Sequence, residues 1–188
     1  MTAPVTPIPE KDRPDYRSAV VQTMLPDLEL VRDVAGGQRQ IRARSTRYLP
    51  QHPKESKENY TIRLNRPTFF NAFMRTLEGL VGMVFRVSPE LSDDIPGPIT
   101  EHWEDIDKEG NHGEVFLKTL FADAMEAGHC AILVDYPTVA DPEKLTKADE
   151  RNLDLRPYWV HVRKDDIMNF RTSRAPGGQR ILEQITLR

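Results

Sequence analysis

The chain has 188 residues, 38% of them hydrophobic and 29% charged, with a formal net charge of −3. That balance suits a folded domain with a modest core and excludes wholesale disorder. No apolar run approaches the roughly 20 residues that span a bilayer, so no membrane partner is expected. Pro4, Pro7 and Pro9 stand where a secretory signal needs an apolar core. Cys130 is the single cysteine, which excludes an internal disulfide framework and fits a reducing compartment.

Residues 1–14 read as a disordered arm. Residues 15–34 carry Val20, Met24, Leu28 and Val31 at rough helical spacing, and Pro26 predicts a kink or two short helices. Gly36 and Gly37 form a stop signal. Residues 39–50 alternate weakly and read as an extended arm or loop. Ser56 is placed to cap a helix over 57–65. Pro67 suits the first turn of a stronger helix, whose apolar stripe runs through Phe69, Phe70, Phe73, Leu77, Leu80, Val81 and Val84. Phe73 and Leu77 are the expected core anchors. Gly79 and Gly82 within it suggest close approach of another backbone.

Further on, residues 88–98 form a proline-rich loop, and 99–106 a short helix carrying Trp103. Residues 113–127 give the clearest helix, with Val115, Phe116, Leu120, Ala124 and Ala127 on one face and Gly128 as its terminator. Residues 129–134 are of strand type. Residues 138–156 lack periodicity and read as a mobile loop. A second strand is predicted over 157–162, one helical turn over 164–168, and a third strand over 181–187 after the Gly177 and Gly178 turn. The fold class is therefore α+β: N-terminal helices, then a helix packed on a small mixed or antiparallel sheet, in one domain over 15–188. The strand pattern reaches Arg188, which suggests a fragment of a longer protein.

Charge is segregated. Residues 37–75 hold nine basic residues against two acidic, and residues 76–170 hold twenty acidic against nine basic. Arg39, Arg42, Arg44, Arg47, Lys54, Lys57, Arg63 and Arg66 are thus candidates for contact with another subunit or with DNA. Solvated faces that average out in three dimensions, or ion pairs to the acidic middle segment, use the same residues equally well.

Reaction-bearing motifs are not evident. Phosphate-binding glycine loops and a nucleophile elbow are missing. The five histidines show no metal-ligand spacing in sequence with carboxylates or Cys130. Neighbours on a strand face opposite ways, so His129 and Cys130 diverge, and Cys130 is expected in the core, buried and unreactive. The acidic stretch 104–111 has oxygen ligands and a glycine but lacks the spacing of a calcium loop, and capping of the next helix is its expected role. No catalytic residue, metal or cofactor is assigned.

Several segments then occur in an order that carries a resemblance: RDVAGG at 32–37, RYLP at 47–50, NY at 59–60, FFNAFMRTLEGLVGMVFR at 69–86, and DID at 105–107 before Gly110. Gly128 leads into AILVDYP at 131–137, followed by RPY at 156–158, DI at 166–167 and ILEQI at 181–185. The set resembles the N-terminal part of tailed-bacteriophage portal proteins, and within them a portal-like phage family of unknown function. These are packing and turn motifs, so they speak for fold before activity. The resemblance implies a non-enzymatic structural protein: part of the wing region of a ring, usually dodecameric, at one capsid vertex. Implied partners are further portal subunits, the terminase motor, capsid and tail-connector proteins, and double-stranded DNA passing through the ring. The implied location is the virion, after assembly in the bacterial host cytoplasm, with a phage or prophage origin. Portals are much longer, so their stem, clip and crown are expected beyond Arg188. The alternative is a stand-alone nucleic-acid-binding module using the basic segment 39–75.

Overall fold

A computed structural model describes residue 13 and residues 16–139 and 145–188. The expected N-terminal arm, apart from Arg13, lies outside these residues. The fold is α+β: seven α-helices and two antiparallel two-stranded ribbons among the described residues. The chain divides into two compact units, one of Met1–Arg75 with Lys164–Arg188 and the other of Thr76–Arg163.

The first unit begins with α1, Ala19–Ala35, which runs unbroken through Pro26. Proline inside a helix forfeits one backbone donor and crowds the preceding turn. Here Val21 and Leu28 are buried on either side of it, so packing on both flanks holds the helix through the fault. Gly36 ends α1, and Gly37 takes φ +69°, a conformation open to glycine at little cost. The chain turns there into α2, Gly37–Ala43, and a 3-10 turn over Ser45–Arg47. Residues 39–50 are therefore largely helical, not the expected extended arm. Their pattern is weak because the segment buries none of its side chains fully.

The next helix, α3, spans Lys57–Asn65 and is capped by Ser56, whose side chain accepts from the Asn59 amide at 3.2 Å. Tyr60 is its buried residue, and its hydroxyl donates to Leu49 O. Helix α4, Ala72–Val84, starts five residues beyond Pro67 and passes into the second unit after Arg75. Asn71 does the capping: its Oδ1 accepts from the Met74 amide at 3.0 Å, while its Nδ2 donates to Val34 O at 2.9 Å. One side chain of the first unit thus caps the start of α4 and also bonds the end of α1. Within α4, Leu77 and Val81 are buried, whereas Phe73 is 37% exposed. A Cβ at Gly79 or Gly82 would meet nothing within 4 Å, so neither glycine marks a close backbone approach. Leu77→Ala should cost about 2–3 kcal/mol in urea unfolding and Phe73→Ala about 1–2 kcal/mol, reversing the ranking by side-chain size.

In the second unit, α5 spans Gly97–His102 and continues as a 3-10 turn over Trp103–Asp105. Helix α6, Gly113–Ala127, ends at Gly128 with φ +90°. That left-handed terminator reverses the chain into β1, Ala131–Asp135, which pairs with β2, Tyr158–Val162, in the register Ala131↔Val162 to Asp135↔Tyr158. Between the two strands lies α7, Lys147–Asn152, where a mobile loop is expected. Its first turn is closed by a reciprocal pair, Thr146 accepting from the Asp149 amide and Asp149 accepting from the Thr146 amide. Residues 140–144 of that loop lie outside the described residues.

The chain re-enters the first unit through a 3-10 turn over Lys164–Asp166, then forms the ribbon of β3, Ile167–Arg174, and β4, Arg180–Leu187. The single helical turn expected over 164–168 thus stops at Asp166, and Ile167 already starts a strand.

Candidate subunit or nucleic-acid interface

The basic segment is organised around a buried acid. Asp33 lies on the last turn of α1 and is 1% exposed. The Gly36 and Gly37 turn folds α2 back so that three residues at helical spacing reach it. Gln40 Nε2 donates to Asp33 Oδ1 at 3.0 Å, Arg44 Nε donates to the same oxygen at 2.9 Å, and the Tyr48 hydroxyl donates to Oδ2 at 2.7 Å. Burial alone raises a carboxyl, but the bonds from Gln40, Tyr48 and Arg44 and the charge of Arg44 outweigh it. Asp33 is held at a pKa of about 2. Burial, with the bond it donates to Asp33, pushes the Tyr48 phenol up.

Four of the eight candidate contact residues are committed inside the unit. Arg44 holds Asp33. Arg47 Nη1 lies 2.7 Å from Glu29 Oε2 and 3.9 Å from Asp33 Oδ2. Arg63 grips Glu55 in bidentate fashion, 2.8 Å to each oxygen, and also donates to Pro50 O. That bond to Arg63 holds the Glu55 carboxyl below its ordinary value. Arg42 Nη2 donates to Asn65 O at 2.7 Å and Pro67 O at 2.9 Å, clasping the end of α3. The other four, Arg39, Lys54, Lys57 and Arg66, make no side-chain hydrogen bond or ion pair among the described residues. Half of the eight candidate cations are therefore committed within the unit. Charge reversal at Arg42 or Arg44 would test the fold and not an interface.

The acidic stretch 104–111 is satisfied by its own chain. Asp107 Oδ1 accepts from the Glu109 and Asn111 amides at 3.0 and 3.2 Å, and Asp105 Oδ1 accepts from the Gly110 amide at 2.8 Å. Arg156 Nη2 adds an ion pair to Asp105 at 2.7 Å. These carboxylates shape a turn. The cap of α6 is His112, whose Nδ1 accepts from the Glu114 amide at 3.2 Å.

Cys130 differs from its expected place. It precedes β1 and is half-buried, with its Sγ donating to Leu120 O at 3.4 Å. Burial, reinforced by the negative charge of Asp123, pushes its thiol up. Beside it His161 Nε2 lies 3.2 Å from Asp123 Oδ2, and Arg163 Nε lies 3.7 Å from Asp123 Oδ1. Sequence reasoning passed over this meeting because 123, 130 and 161 lack local spacing. The signal lay in topology: Cys130 enters β1 two residues before Ile132, Ile132 pairs with His161, and Asp123 lies on the face of α6 that also carries Phe116. Asp33 was passed over for a related reason, since Gln40, Arg44 and Tyr48 converge only when their segment is helical.

No protein-family model matches the chain, and a search of curated proteins finds no match either.

Proposed function

We propose that the chain is a structural subunit of a portal-type ring at a phage capsid vertex. The observation that carries this reading is the β3–β4 ribbon. Phe170, Ile181, Leu182 and Ile185 on it are each at least 38% exposed, and both of its outer edges are unpaired among the described residues. A lone two-stranded ribbon is marginal in water, and unpaired edges with apolar side chains invite another strand. A neighbouring copy satisfies both needs. The ordered motif set of the sequence supplies the particular assembly. Exposed ion pairs contribute about 0–1 kcal/mol each, so apolar contact supplies the cohesion while the free cations Arg39, Lys54, Lys57 and Arg66 set register against acidic residues of the next copy.

The alternative nucleic-acid module is weakened by the internal use of Arg42, Arg44, Arg47 and Arg63. With Arg75, the five cations of segment 39–75 that make no side-chain bond among the described residues give a log–log salt slope no steeper than about −4.5 if all contact phosphates.

Both readings are tested on protein expressed from its complete reading frame. Light scattering and negative-stain microscopy should find closed rings with a central channel. Changing Arg39, Lys54, Lys57 and Arg66 together to Glu should impair ring formation while leaving the unfolding midpoint nearly unchanged. A protein that stays monomeric and loses steeply salt-dependent DNA binding in this variant sinks the portal reading and favours the module.

A further inference from the structure

We propose that Asp123, Cys130 and His161 form a zinc site that clamps α6 to the β1–β2 ribbon. The three side chains come from three elements: the inner face of α6, the segment entering β1, and β2. Their ligand atoms, one thiol sulfur, one imidazole nitrogen and one carboxylate oxygen, all lie within 4.8 Å of one another. A tetrahedral zinc with bonds of about 2.0–2.3 Å spaces its ligands about 3.3–3.8 Å apart. Small side-chain rotations therefore close the trio on one ion. The donor set of soft sulfur, borderline nitrogen and hard oxygen is characteristic of zinc and of its spectroscopic substitute cobalt, and unlike the all-oxygen sets of calcium or magnesium.

Local structure holds the ligands in place. The left-handed Gly128 returns the chain so that Cys130 lies beside the last turns of α6, with its sulfur near Leu120 O. His161 is fixed by its cross-strand pairing to Ile132 and by the Phe116 ring, whose centroid lies 6.4 Å away. Arg163 reaches the other oxygen of Asp123 and orients that carboxylate without using the ligand oxygen.

Two uses compete for these residues. A simple Asp123–His161 ion pair needs no thiol. A cysteine nucleophile needs a lowered thiol pKa, whereas burial and the nearby carboxylate raise this one. A divalent cation supplies the positive charge that stabilises thiolate and carboxylate together, and the thiol proton is released to solvent on binding. With three protein ligands, the fourth position is left for a water.

The test uses chelator-stripped protein and the metals alone. Cobalt(II) should bind at one ion per chain, with a thiolate charge-transfer band and tetrahedral visible bands, and zinc should displace it and raise the melting temperature. Cys130→Ser should abolish the charge-transfer band. His161→Gln should weaken affinity by more than about 100-fold, since even outer partners of a metal are worth about 10–100-fold. Should these variants fail to fold, the wild-type chain decides, because its one cysteine makes thiol labelling unambiguous. Zinc should slow alkylation of Cys130 by more than about tenfold, and chelator should restore the rate. Cobalt binding without a thiolate band, an alkylation rate indifferent to zinc, or equal affinity in a folded Cys130→Ser variant would overturn the site.

Discussion

Replacing Asp33 with Ala should lower the unfolding free energy by about 3 kcal/mol, among the largest effects of any single substitution in the chain. Asp33 is 1% exposed and accepts from Gln40, Arg44 and Tyr48. Removing the carboxylate strands the Tyr48 hydroxyl and the Gln40 amide in a part-buried site, and donors left unpaired there cost about 1–3 kcal/mol each. Arg44 is 42% exposed and still reaches water, which keeps the total below the upper range for a broken buried pair. Acid should expose the same term in the unmodified chain. The folded pKa of about 2 lies below the reference 3.8, so the contribution is fully present above about pH 4 and is lost as pH falls toward 2. That difference corresponds to about 2 kcal/mol. Urea unfolding at a series of pH values should show this loss in wild type and a shallower fall over that window in Asp33→Asn. Parallel curves would mean that the carboxylate is not charged in its network.

Phe116→Ala should cost about 4 kcal/mol, measured in the same way. Phe116 is buried on the inner face of α6 and meets Trp159 and His161 of β2 edge-on, at centroid distances of 5.8 and 6.4 Å. Its ring is an apolar contact between α6 and a two-stranded ribbon that would be marginal alone. Truncation removes the transfer energy and leaves a cavity that the short strands cannot readily collapse. Two edge-to-face contacts worth about 0.5–1.5 kcal/mol each are lost as well. Val115, the neighbouring residue on α6, is 53% exposed. Val115→Ala should therefore change stability by less than about 1 kcal/mol, and equal losses at both positions would place the β1–β2 ribbon on another face of the helix.

Sequence by itself determined the α+β class and the elements whose signals are local. Ser56 and Gly128 mark the start of α3 and the end of α6 because a cap is a contact within one turn. The strands around Ile132, Val160 and Ile185 follow from short apolar runs bounded by turn formers. Tertiary structure alone decided the rest. Whether Pro26 breaks α1 depends on packing to either side of it. Phe73 and Leu77 look alike as apolar stripe positions, and only the packed chain shows that Leu77 is the buried one. Segment 39–50 hides its helical character because its organising partner, Asp33, belongs to the preceding helix. The same holds for the cationic residues: eight are candidates for an outside contact, but folding spends Arg42, Arg44, Arg47 and Arg63 on internal acceptors. Asp123, Cys130 and His161 are far apart along the chain and meet because a left-handed glycine and an antiparallel register bring them to one face. Such convergence depends on long-range pairing, which no local window of residues encodes.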